Sequence, residues 1–357
     1  MKIVLDNIIF SNVNNGGVSN YWFELIKYIE NQDIEVTYIE NQKMESNFHR
    51  NQLNISSEKI FKTKYQKWNR LLPIDYNIED EIIYHSSYYR ALTHAKNAIE
   101  ITTVHDFIHD FFSPIYKRKL HNYIKYAAIK RSKGVICVSN NTYKDMQRFC
   151  PTKPHQQTAV IPVGVSDDYF PKENTLQDFA QLKEWNIEKN GYLLFVGGRV
   201  NYKNFDYVLE VIKHTHFKLV VVGGGRFNKI ELKKMTSISS AILHLDNVSN
   251  AHLNLLYNNA FALIYPSKYE GFGIPIVEAM KSGCPVIGFN QPIIKEIVAD
   301  AALLLNHLDP SAYIYFENLL NKQTYRNEII AKGIENSKKY SWTKCSKETL
   351  EFYQSLS

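Results

Sequence analysis

Residues 265–290 read YPSKYEGFGIPIVEAMKSGCPVIGFN, and this stretch decides the fold. The apolar run that ends at its first residue, FALIY at 261–265, predicts a buried strand. Pro275 suits the first turn of a helix, and Gly283 suits the residue just after a helix ends. A second apolar run follows at 284–289. Strand, helix and strand in this order form the repeating unit of a parallel sheet.

The loop before this helix predicts a site for an anion that also carries hydroxyl groups. Gly271 and Gly273 give the loop backbone unusual freedom. The free N–H groups and the dipole of a helix N-terminus favour an anion. Glu270 and Glu278 lie close to this helix start. Two interpretations stay open: the glutamates favour the helix dipole, or they accept hydrogen bonds from ligand hydroxyls.

The overall composition indicates a globular protein of two domains. A chain of 357 residues is long for one core, and its 45% hydrophobic and 22% charged residues are ordinary. The net charge of +6 is mild and evenly spread, so nucleic acid is not an expected partner. We expect the first ten residues to form a strand and not a signal peptide. No stretch approaches the ~20 apolar residues of a membrane span.

The cysteines indicate neither a metal site nor a disulfide framework. The chain has four cysteines, without a CxxC pair. Cys137 and Cys284 fall in apolar runs, which predicts buried free thiols. Free thiols fit a reducing cytoplasm, where we expect the protein to reside.

Strand-like runs alternate with helical patterns along the whole chain, which predicts parallel sheets in an α/β fold. The first half has such runs at 2–6, 35–40, 81–85, 101–105, 135–139 and 158–163. The second half adds runs at 192–196, 217–222, 241–245 and 302–305 to the two described above. The pattern lapses around 164–190, which we interpret as the linker between domains.

Two loops of the first half carry candidate functional residues. Gly16 and Gly17 follow the first strand, and a phosphate loop and a simple turn are equally good interpretations. The G-x-G-x-x-G pattern is absent from the sequence there, which disfavours a nicotinamide dehydrogenase. His105 and Asp106 end a predicted strand, where open α/β sheets bind ligands. The alternative is a histidine held by Asp106 in a local turn. His109 follows closely, but no set of ligands has metal-binding spacing.

Arg199 and Lys203 lie in the first loop of the second half. They follow the strand at 192–196 and two glycines, and they precede a helical pattern. Cations beside a glycine-rich loop and a helix start are suited to a diphosphate.

Two basic segments are interpreted in two ways. Residues 59–70 hold five basic residues and residues 117–133 hold seven, and neither segment has an acid. The first interpretation is a surface that rests on anionic lipid; the second is a pair of solvated helix faces. In the second segment the residues at helical spacing are predicted to face the core. These are Leu120, Tyr123, Ile124 and Ala127.

In combination, these motifs resemble the retaining glycosyltransferases of family 4, which have the GT-B fold. The motifs are Gly16-Gly17, His105-Asp106, Gly198-Arg199 with Lys203-Asn204, and Glu270-Gly271-Phe272-Gly273 with Glu278 and Gly283-Cys284-Pro285-Val286. The resemblance covers nearly the whole chain, and its most specific part is the pair of glutamates separated by seven residues.

The resemblance implies two Rossmann-like domains whose parallel sheets face a central cleft. The first domain, 1–168, would bind the acceptor, and a C-terminal helix at 342–357 would cross back to it. The second domain, 169–341, would bind a nucleotide-sugar donor.

The resemblance also implies roles for single residues in holding the nucleotide. Arg199 and Lys203 would bind the diphosphate, although they are four residues apart here and five in many members. Glu278 would accept hydrogen bonds from the ribose hydroxyls. Val248 would meet the base.

The remaining roles concern the donor sugar. Glu270 would orient the sugar, and His105 would touch it near the reacting carbon. Gly16 and Gly17 would let the first domain close over the phosphates. The backbone N–H groups that assist Glu270 would be those of Phe272, Gly273 and Ile274.

The expected reaction moves a hexose from a UDP- or GDP-linked sugar to a hydroxyl of a saccharide or lipid-linked saccharide, with retention, in cell-surface polysaccharide assembly. No D-x-D pair is present for a metal–diphosphate clamp, so we expect no metal and no cofactor besides the donor substrate. A phosphorylase would need a cofactor lysine or a phosphate subsite, and neither is evident. A sugar-nucleotide epimerase and a non-catalytic nucleotide-sugar-binding partner are the alternatives. Peripheral contact with the inner face of the cytoplasmic membrane, through 59–70 and 117–133, is left open.

Overall fold

The computed structural model describes residues 1–65, 68–236, 238 and 242–357. The chain forms two compact units, one of Met1–Gly164 with Trp342–Ser357 and one of Val165–Ser341. The boundary between the two units falls after Gly164, whereas the boundary expected from the resemblance falls after residue 168. The residues just after Gly164 belong to the second unit by their contacts: Val165 forms a bridge with Ser341, and the Ser166 carbonyl accepts from Lys281 Nζ at 3.0 Å.

The first unit is built on a parallel sheet. Its strands are β1 (Lys2–Asp6), β2 (Glu35–Glu40), β3 (Ile60–Lys62), β4 (Ile74–Asp75), β5 (Ile82–Ser86), β6 (Leu92–Thr93), β7 (Ala98–Val104), β8 (Gly134–Cys137) and β9 (Gln157–Val160). The seven-stranded sheet has the order β3-β2-β1-β5-β7-β8-β9, and β4 pairs separately with β6. All neighbours in the large sheet are parallel, so the loops that follow its strands lie at one edge.

Helices cover this sheet, and one of them comes from the end of the chain. They span Ile9–Asn12, Gly17–Ile29, Ile108–Phe112, Ile115–Arg131, Asn140–Phe149 and Trp342–Gln354, with 3₁₀ turns at Gln42–Ser46, Arg50–Gln52, Ser57–Lys59 and Asn69–Leu71. The C-terminal helix is anchored by Tyr353, whose hydroxyl lies 2.5 Å from Nδ1 of the buried His85. Trp342 also packs edge-on against Tyr21, with ring centroids 6.3 Å apart. The predicted return of the C-terminal helix to the first domain is therefore confirmed.

The second unit has a six-stranded sheet whose neighbours are all parallel. Its strands are β10 (Tyr192–Val196), β11 (Lys218–Val222), β12 (Ile242–Leu245), β13 (Ala262–Tyr265), β14 (Val286–Phe289) and β15 (Leu303–Leu305). The order β12-β11-β10-β13-β14-β15 is that of the Rossmann fold. Its helices span Leu176–Glu184, Phe205–Lys213, Lys229–Thr236, Asn250–Asn259, Ile274–Lys281, Pro292–Val298, Pro310–Leu320 and Gln323–Ser337, with a 3₁₀ turn at Asn201–Lys203. Two Rossmann-like units, as predicted, make up the chain.

Every strand predicted from the sequence overlaps an observed strand, but the solvated helix face, one of the two interpretations of the basic segment 59–70, does not describe its first residues. Its first residues form the edge strand β3, in which Ile60 is half-buried and the next two residues are exposed. Three residues at a sheet edge are too few to show a periodic pattern. Gln66 and Lys67 of this segment, and Ala241 at the start of a predicted strand, lie outside the described residues.

The helix Ile115–Arg131 also differs from its prediction, because two of the four residues expected to face the core are exposed, while Ile124 and Ala127 are partly buried. Leu120 is 46% exposed and Tyr123 is 76% exposed. The buried face instead consists of Lys125, Ala128 and Ile129. Lys125 is buried because its Nζ lies 2.7 Å from the Asp110 carboxylate, so a charged residue occupies a core position that hydrophobic periodicity does not predict.

Candidate functional site

The carboxylate of Glu270 is the centre of a polar cluster in the second unit. Glu270 is 8% exposed and follows β13. Its Oε1 accepts hydrogen bonds from the Tyr265 hydroxyl at 2.9 Å and the Ser267 hydroxyl at 2.7 Å, and it lies 3.0 Å from Lys203 Nζ. Lys203 comes from the loop after the neighbouring strand β10, so the sheet brings together two predicted site residues of opposite charge.

The start of the helix Ile274–Lys281 lies just beyond this cluster. Gly273 precedes the helix at φ +109°, a left-handed conformation that favours glycine, and Pro275 occupies the first turn as predicted. Among the described residues, no side chain caps this helix start. Only three residues separate this helix start from Glu270, so its free backbone N–H groups lie near the cluster and are available to an anion.

Glu278 lies on the same helix, one turn further along, and is partly buried. Its Oε2 accepts a hydrogen bond from the Tyr257 hydroxyl at 2.9 Å, and the Tyr169 hydroxyl, which donates to Asn250 Oδ1 at 3.4 Å, is close enough to affect the pKa of this carboxylate. Burial raises the pKa of Glu278 to about 7, while the two tyrosine hydroxyls act in the opposite direction. This carboxyl group is therefore poised to change charge near neutral pH.

Arg199 has partners that differ from the predicted ones. Its Nε donates to Glu231 at 2.9 Å, and its Nη1 donates to the Gly223 carbonyl at 2.9 Å. Its Nη2 reaches the carbonyls of Gly224, Gly225 and Arg226 at 3.3, 2.8 and 3.2 Å. The guanidinium also stacks over the Phe227 ring at 4.3 Å, and the side chain is 3% exposed.

The role of Arg199 as a diphosphate ligand stays a prediction. All three of its nitrogens donate within the protein, so a bound phosphate would compete with these contacts. The same contacts join Arg199 to the loop after β11. Three successive glycines, Gly223, Gly224 and Gly225, have φ values of +77°, +79° and +67° there. The sequence could not show this, because the carbonyl partners lie more than 20 residues away along the chain.

The other predicted residues of the second unit lie at the same edge of the sheet. Val248 is half-buried in the loop after β12, where Asn247 adopts φ +54°. Ser249 caps the helix Asn250–Asn259 by accepting from the His252 N–H at 3.2 Å. The tyrosines that surround the two glutamates were missed, although Tyr265 ends an apolar strand with a polar group and is the kind of residue that signals a site.

The first unit holds its candidate residues at the carboxyl edge of its own sheet. Gly16 and Gly17 open the helix Gly17–Ile29 directly. His105 follows β7 and packs edge-on against Tyr21, with ring centroids 5.0 Å apart. Burial lowers the pKa of His105 to about 4, so the ring is neutral at neutral pH. Asp106 Oδ1 accepts from the Ile108 N–H at 2.9 Å, so Asp106 forms a local turn with the residues that follow it.

Two Rossmann-like units, the second with a lysine–glutamate cluster beside an uncapped helix start, define the architecture of the GT-B glycosyltransferases. Residues 15–169 match the family model Glycosyltransferase Family 4, and residues 178–336 match the model Glycosyl transferases group 1. The chain therefore belongs to the family 4-like GT-B glycosyltransferases.

Two relatives of this chain are named as O-antigen chain mannosyltransferases. The chain is 26% identical over 323 residues to the O-antigen chain mannosyltransferase B of Escherichia coli. The alignment covers 86% of this chain and 81% of that protein. It is 30% identical over 217 residues to the O-antigen chain mannosyltransferase RfbU of Salmonella typhimurium, covering 59% of this chain and 58% of that protein.

Solved structures agree on the fold. The structure of Anabaena HepE in complex with UDP-glucose has a TM-score of 0.75 at 14% identity and covers 99% of this chain and 100% of that chain. The structure of WaaG, a glycosyltransferase involved in lipopolysaccharide biosynthesis, has a TM-score of 0.70 at 12% identity and covers 98% of both chains. At such low identity these likenesses show the GT-B fold alone.

The contact between Arg199 and the glycine loop can be tested with a matched pair of substitutions. A Cβ on Gly224 would lie 2.5 Å from Arg199 Nη1 and 3.0 Å from the Gly197 carbonyl, whereas a Cβ on Gly225 meets nothing within 4 Å. Both positions carry the strain of a positive φ. We expect Gly224→Ala to lower the free energy of unfolding by about 1–3 kcal/mol more than Gly225→Ala, because it also breaks buried hydrogen bonds. Urea denaturation of the two variants measures the difference.

The same comparison in an Arg199→Ala background completes the test. There the extra cost of Gly224→Ala should shrink to the part caused by the Gly197 carbonyl, since the contact with Arg199 is already gone. An extra cost that stays unchanged without Arg199 would show that the arginine does not hold the loop.

Proposed function

We propose that this glycosyltransferase moves a hexose from a UDP- or GDP-linked sugar to a hydroxyl of a saccharide or lipid-linked saccharide, with retention of configuration and without a metal ion. The observation that carries the proposal is the cluster of Lys203 and Glu270 beside the uncapped helix start. A cation and free N–H groups suit a diphosphate, and carboxylates suit the hydroxyls at either side of it. The O-antigen mannosyltransferase relatives support a role in cell-surface polysaccharide assembly.

In this proposal each group of the second unit has one task. Lys203 and the N–H groups of the helix start bind the diphosphate and stabilise the charge that develops as it leaves. Glu270 accepts from hydroxyls of the donor sugar, and Glu278 accepts from the ribose. Arg199 contributes indirectly, by holding the 223–226 loop. Val248 would contact the base.

The reaction needs no strong acid at the leaving group, since a nucleoside diphosphate is already a stable anion. The bond between the anomeric carbon and the phosphate oxygen breaks, and the acceptor oxygen bonds to the same face of that carbon. The acceptor proton passes to the departing phosphate. His105, in the first unit, is neutral and would contact the donor sugar near the reacting carbon.

A donor panel tests this function directly. We expect one UDP- or GDP-sugar to stabilise the protein thermally and to release its nucleotide slowly without an acceptor. Lys203→Ala should lower that turnover about a hundredfold, since one charge-stabilising donor is worth ~3 kcal/mol. Lys213→Ala is the control, because Lys213 is in the same unit and pairs with Glu210 at the surface. Chelation with EDTA should leave the rate unchanged.

Other results of the same panel would replace the proposal. Interconversion of the free donor sugar would indicate an epimerase. Donor binding without any turnover over a range of acceptors would indicate a non-catalytic binding protein.

The role of Glu278 predicts a pH dependence of nucleotide binding. Ribose hydroxyls donate to the ionised carboxylate, and a folded pKa of about 7 means that this form increases as the pH rises through 7. Affinity for the nucleoside diphosphate should therefore rise by up to about tenfold between pH 6 and pH 8. In Glu278→Gln the rise that belongs to this group should vanish, and titration calorimetry of both proteins measures it. A Gln variant with the same affinity and pH profile would remove the ribose role.

We further propose that the helix Ile115–Arg131 rests on an anionic membrane surface. Four large apolar side chains form one exposed stripe: Ile115, Tyr116, Leu120 and Tyr123 are 62, 70, 46 and 76% exposed. The exposed Lys119 lies within this stripe, and Arg118 is partly exposed beside it. In segment 59–70, Phe61, Tyr65 and Trp68 are also exposed. No helix among the described residues is long and apolar enough to cross a bilayer.

Vesicle binding tests this surface. The protein should co-sediment with vesicles of phosphatidylglycerol and phosphatidylcholine, and less so as salt is raised. Reversal of Arg118 and Lys119 to Glu should weaken binding at least about tenfold, because each basic residue contributes ~1 kcal/mol. Reversal of the exposed Lys183 and Lys189 in the second unit is the matched control and should change little. Equal effects of the two reversals would show non-specific attraction and would overturn the assignment.

A further inference from the structure

Four aromatic rings gather at the carboxyl edge of the first sheet. Tyr88 and Tyr89 follow β5, His109 lies in the helix after β7, and His121 lies on the helix Ile115–Arg131. The ring centroids of His109 and His121 are 4.0 Å apart, and those of Tyr88 and Tyr89 lie 6.2 and 6.1 Å from His121. All four side chains are partly exposed.

The ring of His121 makes no hydrogen bond with another described residue. Its Nδ1 is buried without a hydrogen bond in the part of the chain that the structure describes. Burial lowers the pKa of His121 to about 3, with help from His109, Lys125 and the more distant Arg70, against the opposing effect of Asp110. The ring is therefore neutral, and Nε2 is the nitrogen that a ligand can reach. A hydroxyl both donates and accepts, so it suits either tautomer of this ring.

Polar contacts join the two helices that carry His109 and His121. Asp110 accepts from Lys125 at 2.7 Å and from Asn122 at 2.6 Å, and it also accepts from the Tyr126 hydroxyl. Lys125 Nζ lies 3.9 Å from the centre of the Phe107 ring. Because these contacts join the helix Ile108–Phe112 to the helix that carries His121, the spacing of the two histidines is preset.

Tyr89 has a backbone conformation that bulky residues rarely adopt. Its φ is +62°, in the left-handed region. Strain of this kind concentrates where the position of a side chain matters for function. Burial raises the pKa of both Tyr88 and Tyr89, and the negative charge of Asp106, the residue that follows His105, acts in the same direction.

We propose that Tyr88, Tyr89, His109 and His121 form the subsite for the acceptor sugar, and that it takes an uncharged hexopyranose ring. This inference rests on the proposed transferase function and adds a binding site for the acceptor, the second substrate of that reaction. Aromatic rings pack against the C–H face of a sugar, while the imidazole meets its hydroxyls.

The charges near the subsite favour a neutral ligand over a phosphate. Lys125 is buried and already paired with Asp110. The exposed Arg70 is close enough to affect the pKa values of His121 and Tyr88, but Asp106 opposes it at Tyr88. The exposed apolar residues Leu120 and Tyr123 lie on the outer face of the helix that carries His121, away from the subsite.

The test separates acceptor binding from donor chemistry. With the active donor saturating and a panel of methyl hexopyranosides as acceptors, His121→Leu should raise the acceptor KM about tenfold, the effect of one lost hydrogen bond. The donor KM and the donor hydrolysis without acceptor should stay within about twofold, because His121 does not touch the donor. His121→Gln places an amide near the position of Nε2 and should restore most of the acceptor affinity. His94→Leu, at an exposed histidine of the same unit, should change nothing.

A direct measurement of acceptor binding tests the subsite without relying on turnover. Saturation-transfer NMR with the same methyl hexopyranosides should show contact with the wild-type protein and with His121→Gln, and a weaker signal with His121→Leu. An unchanged acceptor KM and signal in His121→Leu would overturn the subsite, and so would an equal loss of donor hydrolysis. If no donor is turned over but the NMR difference is present, the proposed reaction fails while the sugar subsite stands.

Discussion

One carboxylate oxygen, Oε1 of Glu270, connects the parts from which the site of the second unit is built. It binds a tyrosine at the end of β13, a serine in the following loop and a lysine from the loop after β10. Lys203 and Glu270 are both largely buried, and removing one partner of such a pair leaves the other charge unpaired, which is strongly destabilising. The residues suited to chemistry therefore also hold the loops in place, and the position of the helix start depends on them.

The first unit also has a buried carboxylate that binds several donors near the edge of its sheet. The Asp110 carboxylate takes three donors from one helix, and Lys125 among them is fully buried. This pairing decides how the helix Ile115–Arg131 is rotated. Because Lys125 faces inward, Leu120 and Tyr123 face outward. The exposed apolar stripe and the inward position of His121 are two consequences of one buried ion pair.

Much of the fold was predictable from local patterns. Alternating apolar runs and helical patterns indicated two parallel sheets, and glycine and proline marked the ends of the helix that follows Glu270. Residues directly after parallel strands necessarily gather at one sheet edge, which is why Lys203 and Glu270 could be grouped before their distance was known. The short edge strand β3 was missed because three residues are too few to show an alternating pattern. The exposed apolar residues of the helix Ile115–Arg131 were missed because a buried lysine replaces an apolar residue on its inner face.

The amino-acid sequence by itself determined the order of strands and helices, the loops that carry functional residues, and the chemical types available in them. Only the tertiary structure decided which partners those residues have. Arg199 was correctly placed in its loop, yet its guanidinium is occupied by carbonyls that follow β11. The pKa of Glu278 likewise depends on burial among residues from distant parts of the chain. Hydrogen bonding and desolvation are set by neighbours in space, and these neighbours are known only once the sheets have assembled.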